Sequence, residues 1–198
     1  TATIGNFRSD RTALNGILDF FKNREDDFVR LSDSEDIVGP GPLILLYNVP
    51  DGIDDEEIQV MIEDGAPNAS KETGVLFHRI FPADLENLYQ DSTVADVLDK
   101  SLELAIDSKR NDSNISESTV SYAHTPILYF SGISNSEMMK TYNIIAGEIY
   151  QETQGAAKAA CAKVVTPALK KNFRQLIEEI SGDHAEAMNT VDDGKDEA

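Results

Sequence analysis

Three histidines and one cysteine are the side chains of this sequence best suited to metal binding or nucleophilic catalysis. His78 falls in a predicted strand, His124 directly precedes another, His184 follows the last predicted helix, and Cys161 lies among alanines and lysines. A zinc site needs its ligands to converge, and a cysteine nucleophile needs a neighbouring base. Nothing in the spacing requires either arrangement, and the sequence contains no phosphate-binding glycine loop or GxSxG motif. We therefore predict no catalytic residue, no cofactor site and no metal site.

A run of four acidic residues is the second feature that could carry chemistry. Asp54, Asp55, Glu56 and Glu57 are consecutive, whereas calcium loops space their ligands at alternate positions around a glycine turn. Carboxylates in the first turn of a helix stabilise it through the backbone dipole, so the run predicts a helix start on a solvated face. The same carboxylates can meet a basic surface, and we take all four as candidate partner-binding residues.

The charge balance restricts the classes of partner. Asp and Glu total 36 against 17 Lys and Arg, which gives a net charge of −19. Such a surface repels nucleic-acid phosphates and anionic lipid headgroups, so we expect no nucleic-acid partner, and it attracts a basic protein surface. The alternative is that the charge serves solubility alone. No apolar run approaches the ~20 residues that span a bilayer, so we also expect no membrane insertion.

The single cysteine and the first residue of the chain bear on the cellular compartment. One cysteine cannot form an internal disulfide, which is typical of a protein from a reducing compartment. A chain that begins with threonine fits the removal of a transit peptide, and it fits a trimmed chain equally well. We expect the stroma or matrix of an organelle in preference to the cytoplasm.

The elements that would position these residues fall into two halves. In the first half, the continuous apolar run 43–47 lies between two prolines and is typical of a strand covered on both faces. A helix is predicted over roughly 54–64, and a strand over 75–81 ends at Pro82. Thr93 is the predicted cap of a second helix with one apolar face.

The second half repeats this order. A strand is predicted over 126–130, and Ser134 caps a long helix in which Glu137 occupies the fourth position of a capping box. A short strand is predicted over 163–165. The last helix is predicted to end before Gly182, and an acidic tail after it is expected to be disordered.

This pattern predicts an α/β fold built from two β-α-β-α pseudo-repeats. Strands joined through a helix favour parallel pairing, so the two repeats are expected to share one mixed or parallel sheet of four to five strands, with helices packed on it. The predicted organisation is an N-terminal helix and acidic connector (1–41), a first repeat (42–106), a polar linker (107–125), a second repeat (126–182) and an acidic disordered tail (183–198).

Three segments of the second half carry a resemblance to a known family. Pro126 to Gly132, Ala162 to Pro167 and Phe173 to Ile180 make this half resemble a small bacterial domain family of unknown function, number three-seven-eight-three. The first half is interpreted as a diverged copy of the second. Because the family has no established activity, the resemblance implies no catalytic residue.

An amphipathic helix is predicted near the N-terminus, with Asp10 as its N-cap. Leu14, Ile17, Phe20 and Phe21 belong to its apolar side. This apolar stripe either covers the protein's own sheet or docks onto a partner, and we take these four residues as further candidates for partner binding.

The sequence thus predicts a non-catalytic, acidic protein-binding or accessory protein. Its partner is expected to present a basic surface. We consider a peripheral position on the soluble side of an organelle complex, such as a photosynthetic complex. Two alternatives stay open. One is a regulatory domain that binds a small molecule where the halves meet, and the other is an enzyme whose site has no recognisable motif.

Overall fold

The computed structural model describes residues 37–110 and 124–192 of the chain. The chain divides into two compact units. One unit, residues 35–184, holds a β-sheet and the helices packed on it. The other comprises residues 1–34 and 185–198, of which residues 185–192 are described as the end of a helix.

The described elements alternate between strands and helices along the chain. They are β1 (Leu43–Tyr47), α1 (Asp55–Gly65), α2 (Pro67–Glu72), β2 (Leu76–Ile80), α3 (Pro82–Asn87), α4 (Val94–Arg110), β3 (Ile127–Ser131), α5 (Asn135–Glu152), β4 (Ala160–Lys163), a 3-10 helix (Thr166–Lys170) and α6 (Phe173–Asp192).

One mixed sheet joins the four strands in the order β2-β1-β3-β4. β1 pairs in parallel with β2, and β3 pairs in parallel with β4. The two central strands, β1 and β3, are antiparallel to each other. The predicted α/β fold with one shared sheet is therefore confirmed, whereas a common origin of the two halves stays a prediction.

Helices cover both faces of the sheet and make three layers. Leu43, Leu45 and Tyr47 of β1 point into a core with apolar residues of α4 and α6. Ile44 and Leu46 point into a second core with apolar residues of α1 and α5. Every residue of β1 is buried, which explains why this strand is a continuous apolar run instead of an alternating one.

Helices α1 and α5 approach each other closely at one glycine. A Cβ atom built on Gly65, the last residue of α1, would lie 2.4 Å from the Cα and 2.7 Å from the backbone nitrogen of Thr141 in α5. Thr141 is itself buried. Because backbone atoms cannot move aside as a flexible side chain can, only glycine fits at this helix crossing.

Gly65→Ala is accordingly expected to lower the free energy of unfolding by about 1–3 kcal/mol, the usual cost of overpacking a filled core. A matched control is Gly147→Ala in α5, where the added Cβ would meet nothing within 4 Å. That control should raise the free energy of unfolding by about 0.5–1 kcal/mol, because alanine favours a helix over glycine. Urea denaturation of both variants checks the pair. Equal effects would contradict the close α1–α5 contact.

Two prolines start helices that were not predicted from the sequence. Pro67 and Pro82 occupy first-turn positions of α2 and α3, where the missing N–H of proline has no cost. Pro67 was expected only to follow the end of α1, and Pro82 only to end a strand. At α3, the carboxylate of Asp84 accepts a hydrogen bond from the backbone N–H of Phe81 at 2.8 Å and caps the helix.

The second half also differs from the prediction at β4. This strand covers Ala160–Lys163 and not the predicted 163–165. Its pairing with β3 begins where the Ala160 N–H donates to the Pro126 carbonyl at 2.8 Å. Small alanine side chains have little intrinsic preference for strands, so this segment carried no strand signal.

Two predicted ends of helices were wrong. Helix α4 continues to Arg110, past the predicted start of the linker at residue 107. Helix α6 passes through Gly182 and continues to Asp192, so residues 183–192 are helical and not a disordered tail. A single glycine costs a helix only about 1 kcal/mol, and no proline follows Gly182 that would end the helix there.

Candidate functional site

The residues first considered for catalysis do not form one site. His78 lies in β2 and Cys161 in β4, the two outer strands of the sheet. Three strand spacings separate these strands, about 14 Å in all. His78 also faces the α4 side of the sheet, because Leu76 and Ile80 of the same strand belong to that core, whereas Cys161 belongs to the α1/α5 core.

The two remaining histidines lie elsewhere. His124 is exposed just before β3, and His184 lies within α6. Across residues 37–110 and 124–192, no group of three or more His, Cys, Asp or Glu side chains is arranged to hold a metal ion.

The surroundings of His78 and Cys161 shift the pKa of both side chains. Burial lowers the pKa of His78, and the nearby Lys100 lowers it further against the opposing effect of Asp84. Burial raises the pKa of the Cys161 thiol to about 12. The thiolate is the nucleophilic form of cysteine, so the raised pKa disfavours nucleophilic attack by Cys161, a half-buried residue packed against the α1/α5 core.

The Cys161 thiol is expected to react with a disulfide reagent such as DTNB at least about 100-fold more slowly in the native protein at pH 8 than in urea-unfolded protein, because its thiolate fraction is small and its access is restricted. The native rate should still rise with pH up to the pH of alkaline unfolding, since the folded pKa is raised. Thiol release followed by absorbance checks both statements. A native rate equal to the unfolded rate would contradict the burial of Cys161.

The acidic run begins α1 and forms specific contacts within the chain. The Asp54 carboxylate accepts from the Glu57 N–H at 2.8 Å, and the Glu57 carboxylate accepts from the Asp54 N–H at 3.1 Å. These two bonds form a capping box. Asp55 accepts from Arg79 Nε at 2.7 Å. Asp54, Asp55 and Glu57 thus form contacts that stabilise the fold. The side chains of all four acidic residues, including Glu56, are exposed.

The exposed carboxylates extend beyond this run along α1. Between residues 51 and 70 the sequence has seven acidic residues and no Lys, Arg or His. All seven side chains are exposed, and Val60 lies among them with 59% of its surface exposed. We call this set the α1 acidic surface: Asp51, Asp54, Asp55, Glu56, Glu57, Glu63 and Asp64.

Arg79 of β2 holds the loop that presents this surface. Its side chain is only 13% exposed. Besides Asp55, its guanidinium donates hydrogen bonds to the carbonyls of Val49 and Pro50, each at 3.4 Å, and to the carbonyl of Ile53. The planar guanidinium can bond several acceptors at once, so one side chain ties the β1–α1 loop to the edge strand.

The second half has a related contact. Lys163 pairs with Phe130 in the register of β4 with β3, as Arg79 pairs with Leu46 in the register of β2 with β1. The Lys163 ammonium donates to the Asn135 side chain at 2.6 Å. Asn135 is the first residue of α5, as Asp55 is of α1. In both halves, a cationic side chain near the C-terminal end of the outer strand thus contacts the first residue of the helix that follows the inner strand.

Arg79→Met is expected to lower the free energy of unfolding by about 2–3 kcal/mol, because it keeps the apolar stem but leaves loop carbonyls without their donor. Asp55→Asn removes only the ion pair with a half-exposed carboxylate and should cost less than about 1 kcal/mol. Chemical denaturation of the two variants and of the double variant checks this. Equal costs would show that the ion pair, and not the carbonyl bonds, accounts for the role of Arg79.

Glu137 shows a use that the capping-box pattern did not predict. The Glu137 N–H donates to the Ser134 hydroxyl at 3.3 Å, as expected for a cap. The buried Glu137 carboxylate, however, accepts from the N–H groups of Asn68 at 2.7 Å and Ala69 at 3.4 Å. It therefore caps α2 in the other half of the chain, and joins α2 to α5.

The seam between the halves is filled by side chains. Leu45 and Tyr129 are partners at the centre of the β1–β3 pairing, and both are buried.

A depression of about 220 Å³ lies at the C-terminal end of α5, lined by Glu152, Thr153, Gln154 and Ala156. This depression is open and formed by one short segment, so it does not enclose a small molecule.

The other candidates for partner binding lie outside the described residues, namely Leu14, Ile17, Phe20 and Phe21. No helix in the described part of the chain is long and apolar enough to cross a membrane.

Comparison with protein-family models, curated protein sequences and solved structures found no match to this chain. The resemblance of the second half to a bacterial domain family therefore stays a prediction.

Proposed function

We propose that this protein acts without catalysis, by docking the α1 acidic surface onto a basic surface of a protein partner. The observation that carries this proposal is the set of seven exposed carboxylates between residues 51 and 70, a stretch of sequence without any Lys, Arg or His. An accessory subunit of an organelle complex, as expected from the sequence, falls within this class of function.

The density of charge on α1 gives the surface its attraction for cations. Asp54 and Asp64 are ten residues apart, which is about 15 Å along a helix. The Debye length at physiological ionic strength is about 8 Å, so neighbouring carboxylates lie within screening distance and repel one another. A basic partner relieves this repulsion, and its approach is accelerated by the same field.

The geometry of the chemistry-bearing residues supports a role without catalysis. The Cys161 thiol is held in its protonated form by burial, and His78 and Cys161 are on opposite edges and opposite faces of the sheet. The Arg79 guanidinium is engaged by loop carbonyls and Asp55. The Arg79 contacts thus support the fold, whereas the carboxylates of the α1 acidic surface are exposed and can face a partner.

The test begins with affinity capture of partners from the native source, followed by calorimetric titration of a purified basic partner at low and high ionic strength. The test variant carries Asp51→Asn, Glu56→Gln and Asp64→Asn, three exposed residues of α1 and its preceding loop that spare the capping box and Asp55. Its affinity should fall about tenfold at low salt, which corresponds to roughly 0.5 kcal/mol for each lost ion pair.

The matched control carries Asp99→Asn, Glu103→Gln and Asp107→Asn, three exposed residues of α4 that change the net charge by the same amount. This control should bind nearly as well as the unmodified protein, and both differences should shrink at high salt. An equal loss of affinity in the two triple variants would show that net charge alone, and not the α1 acidic surface, attracts the partner. An affinity that does not depend on salt concentration would also contradict the proposal.

A further inference from the structure

The outer edge of β2 presents main-chain groups that can pair with a further strand. The Leu76 N–H donates to the Pro42 carbonyl at 3.0 Å and thus points toward β1. Because the main-chain groups of successive strand residues point to opposite sides, those of Phe77 and Arg79 point away from β1. In the sheet formed by residues 37–110 and 124–192, no strand lies beyond β2. An open edge of this kind is a template for the addition of another chain.

The two faces of the sheet beside this edge differ in charge. On one face, the Arg79 guanidinium contacts Asp55 of α1, a helix whose charged residues are all acidic. On the opposite face, Asp84 and Lys100 act on the pKa of His78 in opposite directions, so charges of both signs lie there. Only the α1 face therefore has a uniform negative charge.

One side of α1 directs its carboxylates toward this edge. Asp55, Gln59 and Glu63 follow at intervals of four residues, which places them on one side of the helix. Asp55 bonds Arg79 Nε at 2.7 Å, so this side faces β2. Gln59 donates to Glu63 at 2.8 Å and extends the polar row along the helix. Glu56 lies two turns before Glu63, on the same side, and both are exposed.

We propose that the partner adds an extended segment to β2 as a further strand, with basic side chains at alternate positions. This inference rests on the proposed function, since the α1 acidic surface selects a basic partner. Alternate side chains of a strand lie on opposite faces of the sheet, so every second residue of the segment meets the carboxylates of α1. Main-chain hydrogen bonds to Phe77 and Arg79 supply affinity, and the alternating charge supplies specificity.

A second copy of this chain suits the edge less well. The net charge is −19, so two copies repel each other. Pairing β2 with β2 would also bring two α1 acidic surfaces to one edge without adding a cation from outside the chain. A basic segment of another protein relieves this repulsion, and it is therefore the occupant that we infer.

The probe is a synthetic peptide in which Lys alternates with Thr over about eight residues, the length of a strand. At saturation it should slow the amide hydrogen exchange of Phe77 and Arg79 at least about tenfold, measured by NMR in the full chain. The His78 amide, which points toward β1, should change little. An isomeric peptide with all its lysines in one block can turn only half of them toward α1, and it should bind about fivefold more weakly.

Two matched variants test the contribution of the carboxylates. Glu56→Gln combined with Glu63→Gln should lower the affinity for the alternating peptide about fivefold at low salt, as expected for two exposed ion pairs. The control combines Asp99→Asn with Glu103→Gln in α4, changes the net charge equally, and should bind nearly as well as the unmodified protein.

The outcomes separate this inference from the proposed function. Binding that depends on the α1 carboxylates but leaves the Phe77 and Arg79 amides unprotected would overturn strand addition and leave the proposed function intact. Equal affinity of the two peptides, or no binding of either, would also overturn it. Protection with equal affinity in both variants would contradict the proposed function and, with it, the basic segment. Protection without peptide that rises with protein concentration would identify a second copy as the occupant and overturn the inference.

Discussion

The antiparallel pairing of β1 with β3 is the constraint on which the rest of the structure depends. Within residues 37–110 and 124–192, each half of the chain contributes two strands, and a two-stranded unit is at best marginally stable in water. The pairing places both inner strands at the centre of the sheet, where all ten of their residues are buried. Helices from both halves then cover each face, so neither half has a complete core without the other.

This central pairing also decides which groups reach the surface. With β1 and β3 inside, β2 and β4 become the edge strands, and each carries one cation near its end. Arg79 and Lys163 turn back to the first residues of α1 and α5 and fix the loops between strand and helix. The Arg79 bonds hold the start of α1 in place, so the α1 acidic surface has a defined orientation.

The sequence was informative where local patterns decide the structure and uninformative where distant residues meet. Residues 43–47 of β1 and 127–130 of β3 form continuous apolar runs, and the caps Asp54 and Ser134 act within one turn. These elements were therefore predicted to within a residue or two. The strand at Ala160 depends on hydrogen bonds to Pro126. The Glu137 contact with Asn68 spans 69 positions in the chain, and no local pattern encodes it.

The same distinction explains how far the candidate site could be predicted. The four acidic residues at the start of α1 were visible as a run, and their exposure follows from their position in the first turn of a surface helix. Asp55 was not separable from its neighbours, because its partner Arg79 lies 24 positions later, in another strand. The fold thus divides a run of exposed like charges into carboxylates that form contacts within the chain, such as Asp54 and Asp55, and carboxylates such as Glu56 that lie outside those contacts. Because the second group lies outside the contacts that fix the helix start, the proposed docking can be tested on this surface without removing those contacts.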